Sequence, residues 1–184
     1  MLVNISGWPG VGKLTTGREL QAILGGKLLD NHTILNVGRA LAEGGTAEYY
    51  DLVRAVRSLA FAAILKLPSD LPVILTSVVA RGGSSGFLEE NWQAIIDLAQ
   101  ARNCPLFSVT LTCSPIENAR RIVSEDRGNR GKSRKAEILN KLVVERSLFD
   151  DGATHRTAID NTASSPPETA QHIQDWIKSF PLSS

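Results

Sequence analysis

One run of nine residues constrains this chain more than any other feature: Gly7-Trp8-Pro9-Gly10-Val11-Gly12-Lys13-Leu14-Thr15. Three glycines and a proline at its start prolong neither a strand nor a helix, so the run predicts a turn. On its amino side, Leu2-Val3-Asn4-Ile5-Ser6 reads as a short buried strand. On its carboxyl side, Lys13 to Leu24 carries Leu14, Leu20, Ile23 and Leu24 at helical spacing. A glycine-rich turn opening a helix lets successive backbone N–H groups point inward at phosphate oxygens, with the positive end of the helix dipole behind them. Lys13 would reach the outer phosphates as a point charge, and Thr15 would offer a hydroxyl beside them. The plainer alternative is a glycine-rich turn that merely begins a helix.

The rest of the chain repeats one pattern, an apolar run followed by an amphipathic stretch. Gly25-Gly26 ends the first helix, and Lys27-Leu28-Leu29 predicts a second strand that stops at Asp30. Helical spacing runs over 33–41 and 46–67, broken at Gly44-Gly45 and closed by Pro68. Pro72 to Thr76 predicts a third strand, Arg81 to Gly86 a loop, Phe87 to Arg102 a helix, and Leu106 to Thr112 a fourth strand. Ser114-Pro115-Ile116-Glu117 combines an N-cap, a proline at the first helical position and an acid in the first turn. Thr157-Ala158-Ile159 predicts a fifth strand, and Ser165-Pro166-Pro167-Glu168 caps a last helix ending near Phe180. Strands that are apolar throughout and separated by helices imply a parallel sheet covered on both faces. Ligands of such sheets sit beyond the carboxyl ends of the strands, where the loop after Ser6, Asp30, Ser77 and Arg81 would gather.

A chain of 184 residues, 42% hydrophobic and 21% charged, fits one globular domain and excludes general disorder. Lys+Arg 20 against Asp+Glu 19 leaves +1, which carries no sign of a nucleic-acid coat or a polybasic membrane anchor. Cys104 and Cys113 are too few for a disulfide framework or a cysteine zinc site, and read as buried free thiols in a reducing compartment. No apolar stretch approaches the ~20 residues of a membrane span, and the first residues lack a signal-peptide pattern. A cytoplasmic protein is expected, with no membrane or nucleic-acid partner.

Gly7 to Thr15 resembles the P-loop of adenylate kinases, G-x-P-G-x-G-K-x-T, with Leu14 where other P-loops carry Ser or Thr and Thr15 as the hydroxyl residue. Gly12-Lys13-Leu14-Thr15-Thr16-Gly17-Arg18-Glu19-Leu20 is similar to the G-K-T-T-x-G-R-x-L run of shikimate kinases. The chain therefore resembles the small-molecule kinase branch of P-loop proteins: shikimate, gluconate and adenylate kinases, and the phosphotransferases that inactivate antibiotics. That resemblance implies an α/β three-layer P-loop NTPase sandwich, a single domain over 1–184. Its five-stranded parallel sheet would have the order 2-3-1-4-5, with a helical acceptor-binding insert over 31–67 and a mobile lid over 124–136 after strand 4. It also implies ATP and Mg²⁺, a nucleotide cradle of Gly7, Pro9, Gly10, Val11, Gly12, Lys13, Leu14 and Thr15, and a monomer or homodimer. Asn161 falls in the loop matching the adenine contact, and Arg120 or Arg121 falls near the phosphates.

Counted from Lys13, the D-x-D of shikimate kinases falls on Asp30 and His32. Asp30 is thereby the candidate base for an acceptor hydroxyl and, with Thr15, the candidate metal neighbour; an N-cap role for the next helix is the alternative. His32 is a substrate contact or an ordinary histidine, with no second histidine at metal-ligand spacing. The D-x-x-x-R of adenylate kinases falls on Ser77 and Arg81, so the carboxylate is missing. Neither shikimate nor a nucleoside monophosphate is then the expected acceptor. Arg54 and Arg57, three apart on one helix face, and Arg81 are candidate contacts to an anionic acceptor, or solvated residues.

Nine of the 20 basic residues lie between Arg120 and Arg146 against four acids. The centre of that window, Asp126-Arg127-Gly128-Asn129-Arg130-Gly131-Lys132, is glycine-broken and has no apolar residue, so it reads as a loop. Kinases of this group place a charge-stabilising arginine here, and Arg127 is the first candidate, then Arg120 or Arg121; a solvated basic loop is the alternative. The expected activity is transfer of the γ-phosphate of ATP to a hydroxyl of a small metabolite or antibiotic. A nucleoside monophosphate kinase and a nucleotide-binding regulator are the alternatives.

Overall fold

The computed structural model describes residues 1–82, 85–122 and 145–181. Its central strand, β1 (Leu2–Ser6), is buried along its whole length. It pairs in parallel with β3 (Val73–Thr76) on one side and β5 (Leu106–Thr112) on the other, Leu2 standing level with Val73 and Leu106. Beyond β3 lies β2 (Lys27–Leu29), and beyond β5 lies β7 (His155–Asp160), each again parallel to its neighbour. Two further strands of two residues each, β4 (Ala80–Arg81) and β6 (Ser147–Leu148), form a separate antiparallel ribbon. The main sheet therefore runs β2-β3-β1-β5-β7. Taken by themselves, its five strands stand in the expected order 2-3-1-4-5; only the ribbon strands change the numbering.

Side chains alternate across a strand, and that alternation builds two cores from one sheet. Val3, Ile5, Ile74, Phe107, Val109 and Leu111 face α1 (Lys13–Leu24) and α6 (Pro166–Lys178), where Leu20, Ile173 and Ile177 complete the layer. Leu2, Val73, Leu75 and Leu106 face the other way, onto α3 (Ala47–Leu65) and α4 (Phe87–Ala101) through Ile64, Trp92, Ile95 and Leu98. The remaining helices are α2 (Asn31–Leu41), which packs on α3, and α5 (Pro115–Ile122).

Local chemistry sets the ends. Gly25 stops α1 in the left-handed conformation at φ 67°, its N–H donating to the Gln21 carbonyl. Thr46 caps α3 by accepting from the Tyr49 N–H, and Ser165 with Glu168 forms a reciprocal capping box before Pro166. Gly38 lets α2 lie close against α3, because a side chain there would meet Val53 and Tyr49. Two expectations need correction. Cys104 and Cys113 are half-buried rather than buried, and the predicted loop from Arg81 begins inside the ribbon, which no local pattern announces. No described helix is long and apolar enough to cross a membrane.

Candidate active site

The loop between β1 and α1 turns at the carboxyl edge of the sheet with Gly7, Gly10 and Gly12 at φ 138°, 99° and 92°. These are left-handed conformations that only glycine adopts at little cost. Space is short as well: a Cβ on Gly7 would collide with the Leu111 carbonyl, and one on Gly10 with the Asn118 side-chain oxygen. Inside this curl, Lys13 Nζ donates to the carbonyls of Gly7 (2.6 Å) and Trp8 (3.0 Å). Thr15 Oγ1 donates to the Gly12 carbonyl at 2.8 Å, and Val11 N–H donates to the Trp8 carbonyl at 3.4 Å. The first N–H groups of α1 have no intrahelical acceptor, so the loop and helix end together present donors to an anion.

Asn161, at the end of β7, locks this loop from behind. Its side-chain Nδ2 donates to the Val11 carbonyl at 2.8 Å, while its own N–H donates to Thr112 O at 2.9 Å. Arg121 of α5 in turn donates to Asn161 Oδ1 and to the Asn161 carbonyl, both at 3.0 Å. Glu117, one turn earlier, accepts from Arg121 Nε at 2.6 Å and from Arg120 Nε at 2.7 Å. The hydrogen bonds from Arg120 and Arg121 hold the Glu117 carboxyl down at about 2. Beside the loop opens a cleft of about 430 Å³ whose walls include Gly12, Thr15, Arg120, Arg121, Asn161 and Thr162. The sequence alone does not separate Arg120 from Arg121. The side chain of Arg121 is 21% exposed and tied to the β7 end, whereas that of Arg120 is 74% exposed.

At the next strand ends, Asp30 and Thr76 meet. Thr76 Oγ1 donates to Asp30 Oδ1 at 2.6 Å and accepts from the Asn31 N–H at 3.1 Å. Asp30 stands at the N-cap position of α2, yet its side chain makes no capping bond. The carboxylate is fixed by the neighbouring strand instead, with one oxygen engaged. Thr76 carried no signal in the sequence beyond its place at a strand end. A recess of about 20 Å³ lies against Thr76, bounded also by Asn31, Asn91, Ile34, Phe61 and Ile95. That is room for one water- or hydroxyl-sized group.

The predicted substrate arginines stand in intramolecular pairs. Arg54 Nη2 lies 2.8 Å from Glu90 Oε2 and its Nη1 lies 3.0 Å from Asp51 Oδ1. Arg57 is buried, its Nη2 2.5 Å from Glu90 Oε1 and its Nη1 donating to Asn91 Oδ1 at 3.2 Å. Arg81 pairs with Asp151 at 2.6 Å and lies 4.2 Å from the centre of the Phe149 ring. His32 Nδ1 is 3.2 Å from Arg39 Nη1. Ser77 is buried and donates to Asn4 Oδ1 at 2.8 Å, so the position offers no carboxylate to a metal ion. Arg127 and the predicted lid over 124–136 lie outside the described residues.

No protein-family model and no curated protein matches this chain. Solved structures do. A protein of Chloroflexus aurantiacus provisionally classed as a kinase superposes with a TM-score of 0.70 at 16% identity, covering 97% of this chain and 96% of the other. Kti12 of Chaetomium thermophilum, solved with ADP-AlF3, gives 0.63 at 15% identity over 100% of both chains. Shikimate kinase of Bacteroides thetaiotaomicron gives 0.58 at 17% identity, covering 97% of this chain and 98% of the other. With its strand order, its glycine loop and these neighbours, the chain has the fold of the P-loop small-molecule kinases.

Proposed function

We propose that the protein is an ATP- and Mg²⁺-dependent phosphotransferase acting on a hydroxyl of a small metabolite or antibiotic. The observation that carries this reading is the placement of Asp30, fixed by Thr76, on the same sheet edge as the Lys13 loop. A nucleotide-binding regulator shares the loop and a metal neighbour; only a transferase also needs that carboxylate as a base for an acceptor hydroxyl.

The donor set fits the groups. Three left-handed glycines, Lys13 and the start of α1 suit a triphosphate, and Thr15 with Asp30 supplies hard oxygen ligands or water partners for Mg²⁺. When bound, Mg²⁺ would draw negative charge from the phosphate oxygens. Lys13 would exchange its two carbonyl partners for phosphate oxygens. Asp30 would orient the acceptor O–H and take its proton as the acceptor oxygen bonds to the γ-phosphorus. The bond from that phosphorus to the bridging oxygen breaks, and ADP leaves with the electron pair. Arg127, by its position in the sequence, would meet the charge on the transferring group. In the cleft beside the loop, Arg121 and Asn161 would border the nucleoside.

The test is to measure ATP binding by calorimetry and ADP release against a panel of sugars, sugar acids, nucleosides and aminoglycoside-like compounds. Wild-type protein should bind ATP with Mg²⁺ and turn over at least one acceptor, and Lys13→Ala should lose most of the ATP affinity. Equal ATP binding by both proteins, or ATP binding with no turnover of any acceptor class, would overturn the reading.

A further inference from the structure

An acceptor kinase that takes sugar acids or phosphate esters needs positive charge at its acceptor recess. Among the described residues, Arg54, Arg57 and Arg81 each stand against a carboxylate. Arg54 and Arg57 face Glu90 and Asp51, two positive charges against two negative, and Arg81 faces Asp151. Arg54 is held by both Glu90 oxygens, its Nε 3.1 Å from Oε1 and its Nη2 2.8 Å from Oε2. Such a fork against a carboxylate is the same geometry with which arginine holds a ligand carboxylate or phosphate. Glu90 thus occupies the place on these arginines that an anionic acceptor would take. The groups that border the recess itself are neutral: the amides of Asn31 and Asn91, the Thr76 hydroxyl, and Ile34, Phe61 and Ile95.

We infer that the acceptor is an uncharged hydroxyl compound, and that Glu90 sets this selectivity by neutralising Arg54 and Arg57. The inference rests on the phosphotransferase reading and narrows its substrate class. An incoming carboxylate or phosphate would have to displace Glu90 from a buried arginine or sit beside it and Asp30 as a third negative group. Either route is unfavourable, the first through an unpaired charge and the second through repulsion. A neutral hydroxyl compound meets neither cost, and the amide and hydroxyl groups of Asn31, Asn91 and Thr76 can serve as its donors and acceptors. Arg39, exposed on α2, bonds to Asn36 and approaches His32, and is the remaining arginine of the insert.

The experiment compares matched pairs, each a neutral hydroxyl compound and its carboxylated or phosphorylated counterpart, by kcat/KM with ATP. Wild-type protein should favour the neutral member by a factor on the order of 10². Glu90→Gln should lower that preference about tenfold or more, while Arg39→Ala should leave it unchanged. A second measurement does not depend on turnover. With the non-hydrolysable analogue AMPPNP saturating the loop, inorganic phosphate should leave the wild-type melting temperature unchanged and raise that of Glu90→Gln. If Glu90→Gln does not fold, Arg57→Met keeps the test. With one positive charge fewer, it should retain the preference for the neutral member. A wild-type preference for the anionic member, or phosphate stabilisation of wild type with the loop filled, would overturn the inference. Absence of ATP binding or of all turnover would instead overturn the phosphotransferase reading.

Discussion

At the phosphate loop Lys13 donates to two backbone carbonyls, whereas across the sheet edge Arg54 and Arg57 donate to the carboxylate of Glu90. Carbonyl oxygens are dipoles that a phosphate readily replaces, while a carboxylate is a full charge whose removal leaves its partners uncompensated. The backbone differs too. The loop is held open by left-handed glycines and braced by Asn161, while α3 and α4 are tied to each other by ion pairs at the proposed acceptor side. The loop is thus built to exchange internal partners for a ligand, and the arginine cluster is built to keep them.

The sharpest break between the two regions should come from Asp30→Asn. The amide keeps a bond to Thr76 but cannot take a proton, so kcat should fall by roughly 10²–10⁴ with ATP affinity retained. Lys13→Ala would weaken ATP binding itself. Calorimetry beside steady-state turnover separates them, and near-normal turnover of Asp30→Asn would make that carboxylate structural.

Next in size is Gly10→Ala, which strains the loop without touching a charge. The new methyl meets Asn118 at a φ of 99°, and such positions cost about 1–3 kcal/mol. The melting temperature should drop roughly 2–4 °C for each kcal/mol in a chain of this size, with ATP affinity falling alongside. Gly44→Ala, at a glycine with open space around it, is the control that should do neither. A loop that tolerates Gly10→Ala without loss of affinity is not a tight phosphate cradle.

The difference between the regions also separates what the sequence discloses from what it conceals. The loop is contiguous, so its glycines, Lys13 and Thr15 stand in one window with their spacing intact. The main strands were legible because their apolar runs are local. Partners far apart in the chain were not. Glu90 reaches Arg54 and Arg57 from 36 and 33 residues away, and Thr76 reaches Asp30 from 46. The ribbon joins Ala80 to Leu148 through strands of two residues, too short for any period to show. Glu117 and Arg121 lie between these cases: their four-residue spacing was visible, but the bond from Arg121 to Asn161, 40 residues on, was not.

Asn161→Ala should produce a moderate effect confined to the phosphate side. It strips the Val11 carbonyl of its partner and Arg121 of one acceptor, a loss of about 1–2 kcal/mol for buried groups of this kind. ATP affinity should weaken about tenfold, while the preference between neutral and anionic acceptors stays as it was. A change in that preference would mean that the two regions are coupled.

The smallest effect is an acid one, and it too distinguishes the regions. Glu117 has its carboxyl lowered from 4.5 to about 2 by hydrogen bonds from Arg120 and Arg121. A depressed folded value means that the stabilisation is fully present above about 4.5, the value for the unfolded chain. It is lost as the pH falls from there toward about 2. Melting temperature should therefore be indifferent to this group near neutrality and decline through that acid window. Glu117→Gln should flatten part of the decline and change little at pH 7, because its partners Arg120 and Arg121 keep contact with solvent and no fully buried charge is left unpaired. Glu90, also lowered, chiefly by Arg54, titrates on the acceptor side. Glu90→Gln should flatten the acid limb as well, but unlike Glu117→Gln it removes the partner of a buried arginine and so should also lower stability at pH 7. Melting curves of the three proteins from pH 7 to pH 2 decide it. If Glu117→Gln and Glu90→Gln behave alike at neutral pH, the pair that includes buried Arg57 is no stronger than the half-buried pair beside the loop, and the contrast between the two regions fails at that point.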